Sequence, residues 1–188
     1  GKVGIELPYS SGAKYAVNIE GDLTNISSKL PPPLDKQAGK AQPVKINVEG
    51  NLHSFDLTGS AGANNHFNSR WILSNKLTLD RAIWASDSHT VPPLPDEQGV
   101  ELNLPARNGA QWLALFRQGV ASNVSSSTVF PQSVTLRTPA LTLGGQQWNN
   151  LSLVSKPQLS GSTIEAQGRE INGTFTLRDN APWEAAIR

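Results

Sequence analysis

Apolar and polar residues alternate with a period of two along most of the chain, and this pattern constrains the fold more than any other feature. Successive side chains of a β-strand point to opposite faces of a sheet, so each alternating run predicts a strand with one apolar and one polar face. Turn-forming segments rich in glycine, serine and asparagine separate the runs. The sequence therefore predicts a mainly β fold of about ten to twelve antiparallel strands. The alternating apolar positions are Val3, Ile5, Leu7; Tyr15, Val17, Ile19; Val44, Ile46, Val48; Phe55, Leu57; Leu77, Leu79; Val100, Leu102, Leu104; Val134, Leu136; Leu141, Leu143; Leu151, Leu153; and Ile171, Phe175, Leu177.

Two proline-rich segments, near residues 30–43 and 86–99, interrupt the alternation. Proline has no backbone N–H to donate to a ladder, so it is excluded from central strands. We predict that both segments are long loops or covers over a sheet edge.

One short helix is predicted near residues 108–118. Asn108 can cap its first turn and Gly119 can end it. Trp112, Leu115 and Phe116 would share one face, which predicts packing against the sheet. A helix that closes an opening in the sheet is the alternative.

Length and chain ends indicate one β-rich segment, residues 1–188, excised from a longer protein. The chain of 188 residues is long enough for one sizeable core. Gly1 is not a start methionine, and Arg188 directly follows the apolar-rich run APWEAAI.

Charge and composition exclude several classes of function. The formal net charge is +1 and the basic residues are scattered, so no phosphate-neutralising surface is predicted and nucleic acid is excluded as a partner. The absence of cysteine excludes disulfides, thiolate zinc sites and cysteine nucleophiles. No apolar run reaches the roughly 18 to 20 residues of a membrane-spanning helix.

No residue pattern predicts catalysis, a metal site or a cofactor. His53, His66 and His89 lack the spacing of metal ligands. The consecutive residues 87–89, Asp-Ser-His, lie in a polar loop, and a triad requires convergence in space. The adjacent acids Asp96 and Glu97 are typical of a solvated turn.

The five tryptophans, Trp71, Trp84, Trp112, Trp148 and Trp183, are predicted to pack at strand ends, with the indole N–H reaching a polar partner. Trp148 has an alternative interpretation, because carboxamides flank it as they flank the rings of many sugar-binding platforms. In the surrounding stretch, LTLGGQQWNNLSLVS, we predict a hairpin whose turn spans the residues between Leu143 and Leu151. Both arms could then present leucine to one face.

Several segments resemble the AsmA-like, TamB-related envelope proteins of Gram-negative bacteria. The resemblance to their C-terminal part is carried by TPALTLGGQQWNNLSLVS, STIEAQGREINGTFTL and APWEAAI. The segments NISSKLPPPLDKQAGKAQPVKINVEG, NHFNSRWILSNKLTLDRAIWAS and NGAQWLALFRQG resemble one member of that family in particular.

The resemblance implies a curled antiparallel sheet that forms an open groove or half-barrel with an apolar interior. It also implies a periplasmic, non-enzymatic body that is anchored in the inner membrane, moves phospholipid to the outer membrane and supports its permeability barrier. The family offers no catalytic residue and no cofactor to carry over. The expected partners are phospholipid acyl chains, and the two membranes through parts outside this segment.

The inward positions of the alternating runs are the candidate lipid-facing residues. An acyl chain needs a continuous apolar surface, because exposing it to water costs about 0.8 kcal/mol per methylene group. Alternatives are a structural β-domain that contacts other envelope components and a module that binds envelope glycans around Trp148. The candidates are Val44, Ile46, Val48, Leu77, Leu79, Leu102, Leu104, Leu141, Leu143, Leu151, Leu153, Ile171, Phe175 and Leu177.

Overall fold

The computed structural model is all-β, which confirms the predicted fold class. It describes residues 2–6, 14–28, 35–108, 128–129, 133–143, 145–158, 161–178 and 184–187. These residues contain fourteen strands and no helix. The predicted helix near 108–118 lies outside them except for Asn108, which belongs to a strand. In this part of the chain, accordingly, no helix is long and apolar enough to span a membrane.

The strands are β1 (Lys2–Glu6), β2 (Tyr15–Asp22), β3 (Pro43–Gly50), β4 (Ser54–Ala61), β5 (Asn65–Leu73), β6 (Leu77–Ser86), β7 (Gly99–Asn103), β8 (Arg107–Asn108), β9 (Thr128–Val129), β10 (Val134–Leu143), β11 (Gln146–Gln158), β12 (Gly161–Gln167), β13 (Asn172–Arg178) and β14 (Glu184–Ile187). The chain divides into two compact units. Unit 1 comprises residues 1–98 and 124–131, and unit 2 comprises residues 99–123 and 132–188.

Unit 1 is an open sheet in which β1 to β6 pair antiparallel in sequence order. The short strand β9 pairs parallel with β6. Local turn chemistry favours the tight connections: the Asn51 side-chain oxygen accepts hydrogen bonds from the backbone N–H groups of His53 (2.8 Å) and Ser54 (3.1 Å). Proline at position 43 opens β3, and the first position of a strand is one that tolerates it.

Residues 87–98, which include the second proline-rich segment, form no strand and lie against the polar side of β5 and β6. The Asn68 amide donates to the Pro92 carbonyl (3.0 Å). One guanidinium nitrogen of Arg81 donates to the carbonyls of Pro95 (3.2 Å) and Asp96 (3.1 Å). Hydrogen bonds to the loop backbone therefore hold this segment in place.

Asp80 of β6 connects this strand to Gln98 at the end of the loop at 87–98. Its side chain is 9% exposed. Its carboxylate accepts hydrogen bonds from Arg81 Nε at 2.8 Å and from the Gln98 side-chain amide at 2.7 Å. Burial raises the pKa of Asp80, but the hydrogen bonds from Arg81 and Gln98 outweigh this effect, and the pKa lies below its usual value. Asp80 is therefore a carboxylate that the fold requires in its charged form.

We expect Asp80→Asn to lower the free energy of unfolding by about 2 kcal/mol at pH 7, because it weakens two hydrogen bonds to a buried charge. A carboxyl group with a lowered pKa contributes stability above its unfolded pKa of about 3.9, and this contribution is lost as the pH falls through the lowered, folded-state pKa. Denaturant unfolding between pH 7 and pH 2 should therefore show a shallower acid-side loss in Asp80→Asn than in the wild type. Exposed Asp35→Asn serves as the control, and equal acid slopes in wild type and Asp80→Asn would contradict the assignment.

Unit 2 is a mixed sheet rather than the wholly antiparallel one that the sequence predicted. Strands β10 to β14 pair antiparallel in sequence order, whereas β7 and β8 pair parallel with β10. Parallel neighbours require a long crossover connection, and residues 104–133 supply it between β7 and β10. Local alternation cannot distinguish the two directions of pairing, because the period of two is the same in both.

The hairpin of β10 and β11 differs from its prediction. Leu143 pairs with Gln146, so only two residues connect the strands, and Gly145, one of them, has a φ of 80°. Glycine readily adopts the left-handed conformation that a two-residue hairpin turn requires. The predicted long turn is therefore wrong, and Trp148 lies inside β11.

The leucines of the two arms are not brought into register. Leu141 pairs with Trp148, and Leu151 pairs with Thr138. In a regular ladder, this pairing would place Leu141 and Leu151 on opposite faces of the sheet. Asn150, with a φ of 51°, lies directly before Leu151 and departs from the extended backbone on which the alternation of faces depends. Both leucines are only 4% exposed.

Candidate functional site

The strand register of unit 1 collects apolar side chains from all six main strands on one side of the sheet, here called the apolar face. Directly paired residues of antiparallel strands point to the same face, so the register alone defines this surface. Its members are Val3, Tyr15, Val17, Ile19, Val44, Ile46, Val48, Phe55, Leu57, Ala61, Phe67, Trp71, Leu77, Leu79, Ala82 and Trp84.

The apolar face is only partly shielded from solvent. Val44, Ile46 and Val48 of β3 are all half-buried, and Val3 in the edge strand β1 is 64% exposed. Leu79 of β6 is 6% exposed and therefore belongs to a dry core. Most other members of the face, on β2 as well as on β6, are half-buried. A connected set of apolar groups therefore stays within reach of a ligand.

Two aromatic pairs form the part of the apolar face on β4, β5 and β6. Phe55 stacks on Trp71 with ring centroids 6.1 Å apart and planes 8° from parallel. Phe67 stacks on Trp84 at 5.8 Å and 11°. Neither phenylalanine was among the candidates predicted from the sequence, and the tryptophans were predicted to pack at strand ends. The stacked pairs depend on which residues of neighbouring strands are aligned, and the alternation within one strand does not show this.

The indole N–H groups of both tryptophans are satisfied within their own strands. Trp71 Nε1 donates to the Ser69 hydroxyl at 3.0 Å, and Trp84 Nε1 donates to the Ser86 hydroxyl at 3.0 Å. Each serine is two residues from its tryptophan and lies on the same face. The two largest side chains of the apolar face therefore present carbon, rather than an unpaired donor, to whatever contacts them.

The opposite side of the same sheet, the polar face, is mainly hydrophilic on β2 to β5, whereas Ile83 and Ala85 of β6 are buried on it. Asp56 and Arg70 form an ion pair across β4 and β5 with two parallel hydrogen bonds of 2.7 Å. The hydrogen bonds that Arg70 donates to the Asp56 carboxylate raise the pKa of Arg70 above its usual value, which keeps the guanidinium charged. The sheet of unit 1 therefore separates an apolar surface from a polar one.

In unit 2, the register aligns a second apolar row. Leu102, Leu136 and Leu153 are paired across β7, β10 and β11, and Ile164 is paired with Phe175 across β12 and β13. Leu136 is 1% exposed and Ile164 is 7% exposed, whereas the other three side chains are half-buried. The row therefore combines fully buried positions with half-buried ones.

The predicted candidates divide between these two environments. The apolar face of unit 1 contains Val44, Ile46, Val48, Leu77 and Leu79. The row in unit 2 contains Leu102, Leu151, Leu153 and Phe175 by register.

The remaining five candidates lie elsewhere. Leu104 follows β7, Leu141 pairs with Trp148, and both leucines are 4% exposed. Ile171 is half-buried in the turn before β13. The side chains of Leu143 and Leu177 lie outside the described part of the chain.

The polar groups around Trp148 are engaged within the protein. The Asn149 backbone and side-chain amides both donate to the Glu170 carboxylate, at 2.6 and 2.7 Å, and Gln147 donates to Asn149 at 2.8 Å. The hydrogen bond from the Asn149 side chain, followed by that from its backbone, lowers the pKa of Glu170. These contacts explain the carboxamides without a bound sugar.

The sequence motifs that could suggest chemistry are also accounted for by local structure. The Ser88 hydroxyl donates to the Thr90 carbonyl at 2.8 Å, so it stabilises a turn. Asp96 and Glu97 are exposed in the loop at 87–98. Among the residues that the structure describes, no three histidine or acidic side chains gather as metal ligands would.

Comparison with known proteins places this arrangement in a family. A sequence profile described as "YhdP protein" matches residues 1–188. The chain is 62% identical over 188 residues to the "Intermembrane phospholipid transporter YhdP" of Escherichia coli (strain K12), covering all of this chain and 15% of that relative. No solved structure matches. The match extends over the whole sequence, which confirms the specific resemblance read from the segments above, and the chain belongs to the YhdP protein family.

Proposed function

We propose that this chain is a non-enzymatic part of a periplasmic protein that moves phospholipid between the inner and outer membranes and thereby supports the outer-membrane permeability barrier. In this proposal, acyl chains contact the apolar face of unit 1. The membranes are contacted by parts of the longer protein outside this chain, including an inner-membrane anchor. The name of the E. coli relative, an intermembrane phospholipid transporter, supports the transport role.

The observation that carries the proposal is the half-buried aliphatic surface of β2 and β3. Covering it with an acyl chain removes apolar surface from water on both partners, at about 25 cal/mol per Å². Its residues are valine and isoleucine, which offer no directional contact. Neighbouring positions are therefore nearly equivalent in energy, and a chain can slide between them.

The aromatic pairs favour the same ligand. With their indole N–H groups bound to serine, Trp71 and Trp84 require no polar partner from the ligand. A buried donor without an acceptor would cost about 1–3 kcal/mol, so this pairing removes a barrier to contact with hydrocarbon.

Unit 2 favours a structural role within the same protein. Leu136, Leu151 and Ala166 are between 1% and 4% exposed, so they are already covered in the chain as it stands. We propose that this row stabilises the fold while the apolar face of unit 1 meets lipid.

The proposal is tested by site-specific photo-crosslinking in the complete protein in cells. A benzophenone amino acid at Ile46 or Val48 should crosslink to phospholipid, because both side chains lie on the apolar face. The matched control is Glu49, which is adjacent to Val48, exposed and on the polar face. Equal lipid adducts from Val48 and Glu49, or none from Ile46 and Val48, would remove the apolar face from the transport path.

A further inference from the structure

Unit 1 contains an open cavity of about 460 Å³ that is lined mainly by residues of its polar face, together with Ile19, Ile46 and Gly59 from the alternate positions of the same strands. Its volume lies within the range of roughly 300–1,000 Å³ that is typical of small-molecule sites. The transport proposal assigns no role to its polar groups.

Two neighbouring rows of cross-strand pairs form the polar wall of the cavity. The first row runs from β1 to β5 as Lys2, Glu20, Lys45, Ser60 and His66. The second row runs from β1 to β4 as Gly4, Asn18, Asn47 and Thr58. Strand register thus brings together side chains that are far apart in the sequence.

The charges of the first row favour an anion. Lys45 Nζ lies 3.5 Å from Glu20 Oε1, and these side chains are 72% and 58% exposed, so this ion pair is weak and readily exchanged. Lys2 forms no ion pair with any other described residue and leaves one ammonium group uncompensated. The row therefore carries two cations and one carboxylate.

The neutral groups add both donors and acceptors. Within the described part of the chain, the side chains of Asn18, Thr58 and Ser60 make no hydrogen bond to protein. The Asn47 amide donates to Glu49 at 2.8 Å, which leaves its carbonyl oxygen as an acceptor. Hydroxyl and amide groups of this kind bind phosphate oxygens and ligand hydroxyls alike.

His66 of β5 lies at the end of the first row and lines the cavity. Its Nδ1 is buried and has no hydrogen-bonding partner among the described residues.

Val91, from the loop at 87–98, lines the side of the cavity near His66. The adjacent Pro92 carbonyl accepts from Asn68 on β5, which fixes this part of the loop on the sheet. The cavity is thus bounded by a held loop as well as by strands.

We propose that this polar cavity binds a small hydroxylated organic phosphate of the glycerol phosphate type. The two lysines and the hydroxyls of Thr58 and Ser60 would contact the phosphate, and the Asn47 oxygen and Glu20 would accept from ligand hydroxyls. The phosphate belongs either to a soluble ester or to a lipid headgroup, and the titrations below distinguish the two sources.

The test is a titration of the isotope-labelled chain with glycerol 1-phosphate, followed by NMR at the amides of Lys45, Thr58 and His66. We expect saturable shifts that are confined to unit 1, and at least a tenfold weaker affinity in the double variant Lys2→Gln/Lys45→Gln. Lys156→Gln is the matched control, since Lys156 in unit 2 lies at the same 3.5 Å from Glu165 across two strands. Gly4→Phe should also block binding without strain, because a Cβ there has no atom within 4 Å.

Further titrants separate the possible outcomes. Three results would overturn the proposal. The chain could bind uncharged glycerol as tightly as the ester, Lys156→Gln could weaken binding as much as the double variant does, or neither the ester nor the vesicles could produce saturable shifts. Binding to phosphatidylglycerol vesicles but not to phosphatidylcholine vesicles, lost in Lys2→Gln/Lys45→Gln, would support it and identify a lipid headgroup as the source of the phosphate. Crosslinking of acyl chains at Val48, which does not line the cavity, should persist in the double variant, so the two proposals can fail separately.

Discussion

Replacing Val48 by lysine should reduce phospholipid passage about 100-fold while leaving the protein folded. Placing an ammonium group in a hydrocarbon environment costs about 2.5–3.5 kcal/mol on insertion scales, and each 1.4 kcal/mol corresponds to a factor of ten. Val48 is half-buried at the centre of the apolar face, so water can still reach the new charge in the absence of lipid. The penalty should therefore fall mainly on the lipid-bound state.

Glu49→Lys provides the control, because it introduces the same side chain one residue away on the polar face. Transport between membranes would be followed in cells by the movement of labelled phospholipid, and folding by the thermal midpoint of each purified variant. Similar transport by Val48→Lys and wild type would show that lipid does not contact this face. Equal losses in both variants would indicate a general effect of added positive charge.

The alternation in the sequence was sufficient to predict the half-buried surface on β3, because Val44, Ile46 and Val48 need only the period of two to share a face. It could not predict how strands align with each other. The leucines at 141 and 151 belong to equally clear runs, yet the two-residue Gly-Gly turn and the left-handed Asn150 determine their positions. The alternation within a strand defines which residues share a face, and the register between strands decides which residues are neighbours on that face.

The same limit applies to the aromatic pairs and to the polar cavity. Phe67 contacts Trp84 only because β5 and β6 align at that level, and a register shift between Arg70 and Trp71 changes the pairing further along. Lys2 and His66 reach one cavity because five strands lie side by side. No motif in the sequence marks either arrangement, since their members are spread over several strands.

Gly59→Ala should destabilise unit 1 by about 1–3 kcal/mol, the range for overpacking in a well-packed protein. A Cβ at this position would overlap the Lys45 carbonyl oxygen on β3 and lie 2.7 Å from Phe67 Cζ. The carbonyl cannot move without disturbing the ladder between β3 and β4, and the Phe67 ring is held by its stack on Trp84. The alanine would recover roughly 0.5–1 kcal/mol from reduced backbone freedom in the unfolded chain, which is too little to compensate.

Gly4→Ala is the matched control, because a Cβ there meets nothing within 4 Å, and its effect should stay within about 0.5 kcal/mol. The free energy of unfolding from denaturant titration gives both values, and tryptophan fluorescence reports whether the stack of Phe67 on Trp84 is displaced. The double variant Gly59→Ala/Phe67→Leu separates the two overlaps: relief of the ring contact should restore only part of the stability, because the carbonyl contact remains. Full recovery would instead mean that the glycine is required only for the ring, which lies over it as part of the apolar face.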